Sequence, residues 1–251
     1  MEKAKHIEYV LRWADNALIL GQRLGEWCGH GPVLEEDIAL TNISLDLIGQ
    51  ARSFLTYAGE IEGEGRDEDK MAFFRDAHDF RNVLLTEQPN GHFGDTIARQ
   101  FLYDHFAWLA FDALQHSKDE QLAAIAAKSL KEVTYHRRHS SEWLIRLGDG
   151  TEESHEKIQE SLNSLWMYSG EMLKADDLDK EALAAGIGID LDQIAELWKT
   201  NVEGVIQQAT LQVPEYGWMQ SGGKKGVHSE HLGFILAEMQ HIPRTYPDAQ
   251  W

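Results

Sequence analysis

The sequence predicts an all-α chain built on an antiparallel bundle of four long helices, with further helices toward the C-terminus. Three observations carry that expectation. Apolar residues recur at three- and four-residue steps through four long stretches in residues 1–150. No stretch alternates polar and apolar residues long enough to make a strand. Each of the four stretches also holds one carboxylate that the pattern turns inward, at Asp15, Asp46, Asp104 and Glu132.

The first stretch, residues 7–27, sets Ile7, Val10, Leu11, Ala14, Leu18 and Leu24 on one face around Asp15, and Gly29-His30-Gly31-Pro32 ends it. The second opens on Glu35, Glu36 and Asp37, acids that complement a helix N-terminus, and runs from Ile38 to about Tyr57. It has a small polar stripe (Ala39, Asn42, Asp46, Gly49, Ser53) beside an apolar one (Ile38, Leu45, Ile48, Leu55). After an acidic loop over residues 59–69, a weaker helical segment is expected over residues 71–85, and Gln88-Pro89-Asn90-Gly91 signals a turn. Asp95 or Thr96 then caps the third helix, with Ile97, Phe101, Asp104, Trp108 and Phe111 in its stripe. The fourth runs from about Gln121 to Gly148, and its expected inward face holds Ile125, Ser129, Glu132, Tyr135, His136, His139 and Trp143.

Three more helices are expected over residues 153–174, 190–209 and 228–241. Asp190 with Gln193 reads as a capping box and Pro243 as the close of the last helix. No linker or repeat divides the chain. The expectation is one domain over residues 1–251, with the bundle core in residues 1–150 and accessory helices packed on it in residues 151–251.

A net charge of −19 argues against a general nucleic-acid binder, since phosphate contacts need Lys and Arg. No apolar run reaches the roughly 18 residues of a membrane span, and the first residues lead into no signal core, so a cytoplasmic protein is expected. The single cysteine, Cys28, excludes an internal disulfide framework or a Cys-built metal site within one chain. Eight Trp point to cores or subunit interfaces.

Burying a carboxylate costs several kcal/mol unless it is paired, so the four acids admit two readings. One is a metal site. Di-iron and di-manganese bundles carry Glu-x-x-His on two helices; here Gly49 stands three residues after Asp46 and Tyr135 three after Glu132. Without those imidazoles, and with Asp on three helices, the donors suit Mg²⁺ or Mn²⁺ weakly and redox iron poorly. The other reading is a polar core in which the acids pair with Arg12, Arg52, Asn42, Tyr135 or His136. Glu132, His136 and His139 form a rival metal triad, and His228 with His231 a similar pair; satisfied histidine clusters explain both as well. In the basic loop of residues 221–226, glycine amides with Lys224 and Lys225 suit an anion, or make a plain surface loop. No nucleophile elbow, GxGxxG or Walker loop is present.

Longer runs carry a family resemblance. QRLGEWCGH (residues 22–30), LDLIGQAR (45–52), EQPNG (87–91), DTIARQ (95–100), Lys131-Glu132 with Tyr135-His136, GGKKG (222–226), EHLG (230–233) and LAEMQ (236–240) span nearly the whole chain. Together they resemble the C-type components (PaaC) of bacterial phenylacetyl-CoA epoxidases. The resemblance implies a ferritin-like fold and a non-catalytic structural subunit that pairs with a homologous catalytic one. In that family the partner holds the di-iron centre and epoxidises the aromatic ring of phenylacetyl-CoA with O₂, using electrons from a separate reductase. On this reading Asp15, Asp46, Gly49, Asp104, Glu132 and Tyr135 are vestigial metal-site positions, and this chain has no catalytic residue, metal or cofactor of its own. Lys224 and Lys225 would contact a partner or the CoA phosphates. The partners implied are the di-iron subunit and other members of the complex, in a homo- or hetero-oligomer without nucleic acid or membrane. Two rival readings are an independent di-metal carboxylate oxidase or hydroxylase, and a metal-free helical adaptor unconnected with oxygenases.

Overall fold

The computed structural model describes residues 1–247 and 249, and among them there is no strand. The helices are α1 Lys3–Gly25, α2 Leu34–Glu62, α3 Glu68–Phe73, α4 Phe93–Leu114, α5 Glu120–Gly148, α6 Glu152–Leu165, α7 Gly170–Leu173, α8 Asp177–Ala185, α9 Leu191–Gln208 and α10 Glu230–Thr245. Short 3₁₀ turns cover Ala77–Asp79, Leu84–Glu87, Trp166–Tyr168 and Gly223–Lys225. The chain divides into two compact units, one of Met1–Glu87 with the residues from Gly222 onward, the other of Gln88–Ser221. The helices beyond residue 150 therefore do not form one accessory layer: α6 to α9 fold with α4 and α5, and α10 with α1 and α2.

In the first unit α1 and α2 run antiparallel. Lys3 Nζ donates to the Glu62 carbonyl at 2.6 Å, and the Ser44 hydroxyl to the Gly21 carbonyl at 2.7 Å. Gly21 makes the close approach: a Cβ there would press on Ile48 and Leu47 at 3.0 to 3.2 Å. α1 is buried on nearly every side from Tyr9 to Gly21, whereas α2 buries one stripe, including Leu40, Ile43, Leu47, Phe54 and Ala58. The apolar stripe expected on α2 is only partly the core face, since Ile38 and Leu45 are 51% and 64% exposed.

The helix expected over residues 71–85 is broken after α3, because side chains of α1 and α10 claim the backbone groups that it would have used. Arg81 N–H donates to Asp15 Oδ2 at 2.8 Å and Val83 N–H to Asn16 Oδ1 at 2.8 Å. Gln240 Nε2 donates to the carbonyls of Ala72 (3.2 Å) and Arg75 (2.9 Å). For these four groups tertiary hydrogen bonds replace helical ones. Pro243 lies inside α10 and does not close it. Arg244 fastens that last turn, donating to the carbonyls of Phe73 at 2.9 Å and Arg75 at 2.8 Å.

In the second unit α4 and α5 run antiparallel, with Phe93 edge-on to Trp143 at 5.0 Å and the Arg137 guanidinium 3.8 Å from the centre of the Trp108 ring. α4 is buried almost all round, packed by α5, α6 and α9. Trp198 of α9 donates its indole N–H to the Leu102 carbonyl at 3.0 Å. The cap of α4 is His92 rather than Asp95 or Thr96. Asp95 sits three residues on and closes the box, accepting from His92 N–H at 2.9 Å, while its own N–H reaches His92 Nδ1 at 3.2 Å. The helix expected over residues 153–174 is α6, a 3₁₀ turn and α7. α8 has no counterpart in the expected elements; Asp176 caps it and Gly186, at φ 77°, ends it. Asp190 caps α9 as expected, accepting from Asp192 and Gln193 N–H.

Candidate functional site

The four carboxylates sit in four different environments. In the first unit Asp15 is fully buried, and the Arg75 guanidinium grips both its oxygens, Nη1 at 3.0 Å from Oδ2 and Nη2 on Oδ1. Arg75 is itself fixed by Nε donation to the Met71 carbonyl at 2.5 Å and by stacking 4.3 Å from the Phe80 ring centre. With the Arg81 amide added, the carboxylate accepts three hydrogen bonds. The polar-core reading thus holds for Asp15, but through a residue outside the expected partners: Arg12 reaches Glu8 at 3.8 Å and Arg52 reaches Glu68 at 3.0 Å. Asp46 is half-buried on α2, and a Cβ on Gly49, one turn further on, would meet open space.

In the second unit Asp104 is buried on α4 and faces His136 and Ser140 of α5, with Arg99 also near enough to act on its charge. Burial pushes its carboxyl up to about 6, against the opposing pull of the His136 charge, a Ser140 hydrogen bond and Arg99. Its Oδ2 has no hydrogen-bond partner among the described residues. Arg99, wholly buried, donates to the Gln88 carbonyl at 2.7 Å and to Asn90 Oδ1 at 2.9 Å, tying the turn before α4 to the helix.

The inward face of α5 is Leu122, Ile125, Ala126, Ser129, Val133, His136, Ser140 and Leu144. It is rotated from the expected one. Glu132 and His139 are only half-buried, and Tyr135 is 41% exposed. Tyr135 therefore does not point into a core position beside Asp104. Among the described residues no three His, Cys, Asp or Glu side chains are grouped so that they could hold a metal ion.

The basic loop is pinned to the first unit. A Cβ on Gly223 would collide with the Asn82 carbonyl, and one on Gly226, at φ 77°, with the His78 carbonyl. These two glycines let the loop lie against the segment between α3 and α4. Lys225 is exposed and Lys224 half-buried. Glu87, which the spacing of carboxylates does not single out, anchors the next residues. It is fully buried, and its carboxylate accepts from Ser229 N–H (2.7 Å), Asn82 Nδ2 (3.2 Å) and His228 Nδ1 (3.1 Å). His228 Nε2 faces the Phe80 carbonyl at 3.1 Å, and Arg23 donates to the Glu87 carbonyl at 2.9 and 3.1 Å. His228 is thus a buried structural hydrogen-bonding group, as the satisfied-cluster reading has it. The only signal for Glu87 in the sequence is its place in the EQPNG run.

The family described as Phenylacetic acid catabolic protein matches this chain over residues 1–251. The chain belongs to that family. The C component of the 1,2-phenylacetyl-CoA epoxidase of Escherichia coli (strain K12) is 52% identical over 243 residues, which cover 97% of this chain and 98% of that protein. The fold class is all-α and ferritin-like, as the family resemblance implied. The long antiparallel pairs are α1 with α2 in one unit and α4 with α5 in the other. Among the described residues no helix is long and apolar enough to cross a membrane.

The tryptophans range from core to surface, with Trp27, Trp108 and Trp143 half-buried. Trp13, Trp166 and Trp198 are core residues, whereas Trp218, in the segment after α9, is 71% exposed. Trp251 lies outside the described residues.

Proposed function

We propose that this chain is the structural C-type component of a phenylacetyl-CoA epoxidase, in phenylacetate catabolism, and that it binds a homologous di-iron subunit which carries out the epoxidation. The observation that carries this reading is the Asp15–Arg75 pair: the guanidinium takes both oxygens of one of the four bundle carboxylates. A buried cation there competes with metal for the same lone pairs. The remaining donors do not fit a di-iron centre either, since position 49 offers no side chain and Tyr135 faces outward. Iron therefore belongs to the partner, and this chain supplies surface and stability in a cytoplasmic hetero-oligomer. Exposed apolar residues such as Ile38, Leu45 and Trp218 offer that surface. Lys224 and Lys225 contribute a contact to a partner or to the CoA phosphates; replacing both by Ala is expected to weaken assembly or raise KM for the thioester, and unchanged assembly and kinetics remove that contact.

The test is co-expression with a homologous subunit that carries Glu-x-x-His on two helices. The expected result is one complex whose iron, and whose turnover, follow the partner. About two metal ions per chain in this protein alone, with O₂-dependent turnover, would establish the independent di-metal enzyme instead. A chain that recovers no such partner from phenylacetate-grown cells would be the adaptor.

A further inference from the structure

The second unit holds a cavity whose charge the structural role does not use. It lies among α4, α5 and α9, and its volume of about 550 Å³ falls in the range of small-molecule sites. Lys131, Arg137 and Arg138 line it against a single acid, Glu142, in a chain of 42 acidic and 23 basic residues. None of these three cations forms an ion pair among the described residues. Arg137 lies over Trp108, and Arg138 stands 5.6 Å from the Tyr135 ring centre. Burial alone lowers the proton affinity of Arg137, as expected of a half-buried guanidinium without a carboxylate beside it.

His105 adds a second, independent feature on the same wall. It is 3% exposed, its Nε2 lies 3.0 Å from the Ser141 hydroxyl, and its Nδ1 has no hydrogen-bond partner among the described residues. Burial and the nearby Arg137 charge push the imidazole down to about 3, so it remains a neutral hydrogen-bonding group at physiological pH. Tyr135, 41% exposed, offers a ring face on the same lining.

Three cations around one concave site exceed what a single carboxylate can neutralise. The planar forks of two arginines match phosphate oxygens, and a lysine adds a compact charge. We propose that this cavity binds the diphosphate group of a small molecule, the group shared by nucleoside diphosphates and by CoA and its thioesters. Binding there needs only this chain, whatever its role as a structural subunit.

Calorimetric titration of the full-length chain with inorganic pyrophosphate, ADP and CoA tests it. Pyrophosphate is expected to bind, more weakly as salt is raised. Lys131→Ala with Arg138→Ala, both exposed side chains, is expected to weaken all three probes about tenfold or more. Arg138→Ala alone, as the milder change, should give a few-fold loss. Lys70→Ala, an exposed lysine on α3 of the other unit, should leave every affinity unchanged, and circular dichroism checks that each variant is folded. CoA binding well above ADP would identify the thioester carrier as the source of the diphosphate; equal affinities would identify nucleotides in general. No binding of any probe, or equal affinity in the wild type and the folded double variant, overturns the proposal.

Discussion

Both oxygens of Asp15 on α1 are held by the guanidinium of Arg75, sixty residues further along the chain, with the two side chains almost wholly buried. The same carboxylate accepts from the Arg81 amide, so one acid organises the segment that leads from α3 toward α4. Removing one partner of such a pair strands a buried charge, at a cost of roughly 3–5 kcal/mol. Arg75→Met is therefore expected to lower unfolding free energy by about that amount in chemical denaturation. Adding Asp15→Asn to it should restore a large part, because no charge is then stranded. A loss below about 1 kcal/mol in the single variant would show that the pair does not hold the fold.

Asp104 gives the second unit a pH-dependent term. Its carboxyl is raised from 3.8 to about 6, so between these values the folded chain binds a proton that the unfolded chain has lost. Stability from this group is therefore lost as pH rises from about 4 to 6, with a total on the order of 3 kcal/mol. His105, pushed down to about 3 from 6.5, acts in the opposite direction: the unfolded chain binds the extra proton, and stability rises with pH over its window. The two overlap, and single substitution separates them. Asp104→Asn, relative to wild type, should become progressively more favourable between pH 4 and pH 7, read from urea midpoints at constant m. A flat difference across that range would contradict the raised carboxyl.

The helices are legible from periodicity, and most of their partners are not. The long helices α1, α2, α4 and α5 all follow from three- and four-residue steps, as does the Asp190 cap of α9. On α5, however, the expected stripe, which joins Glu132, Tyr135, His139 and Trp143 to Ile125, Ser129 and His136, and the true one, which joins Val133, Ser140 and Leu144 to those three, both satisfy helical spacing. Large aromatics favour the first on paper, although Tyr135 projects outward and two serines face in. Position along the sequence also hides Arg75, which reaches Asp15 only because its own segment is not helical. That segment in turn loses its helix to Asp15, Asn16 and Gln240, tertiary partners that local propensity does not register. α8 leaves no clear trace because nine residues of Asp, Ala, Leu, Lys and Glu make too short an apolar stripe.

Glu87 and His228 fasten α10 and the loop before it to the rest of the first unit. Glu87→Gln keeps the shape but removes the charge that His228 and the Ser229 amide meet inside the protein. The expected effect is a loss of about 1–3 kcal/mol and faster proteolysis in the loop of residues 222–229, before α10. Limited trypsin digestion, which reads Lys224 and Lys225 directly, measures it. Wild-type digestion rates in the variant would place the anchor elsewhere, in Arg244 and its carbonyl contacts.

Trp218 carries the largest exposed aromatic surface that the structure describes, 71% of its area, in a segment where Tyr216 packs edge-on to the buried Trp166 at 5.4 Å. With most of its surface already in solvent, the indole has little burial to lose. Trp218→Ala is therefore expected to leave thermal unfolding within about 0.5 kcal/mol of wild type. Interface energy concentrates on Trp, Tyr and Arg at the centre of a contact, where truncation costs about 2 kcal/mol or more. If this surface meets the catalytic partner of the proposed complex, the same substitution should weaken association at least about tenfold, measured by surface plasmon resonance or size-exclusion at micromolar concentration. Lys199, whose ammonium lies 5.3 Å from the Tyr216 ring centre, tests the neighbouring ground, and Lys199→Ala should have a smaller effect because a rim charge alters the rate of encounter more than its strength. Unchanged affinity in Trp218→Ala, with changed affinity in Ile38→Ser or Leu45→Ser, would move the interface to the exposed apolar face of α2.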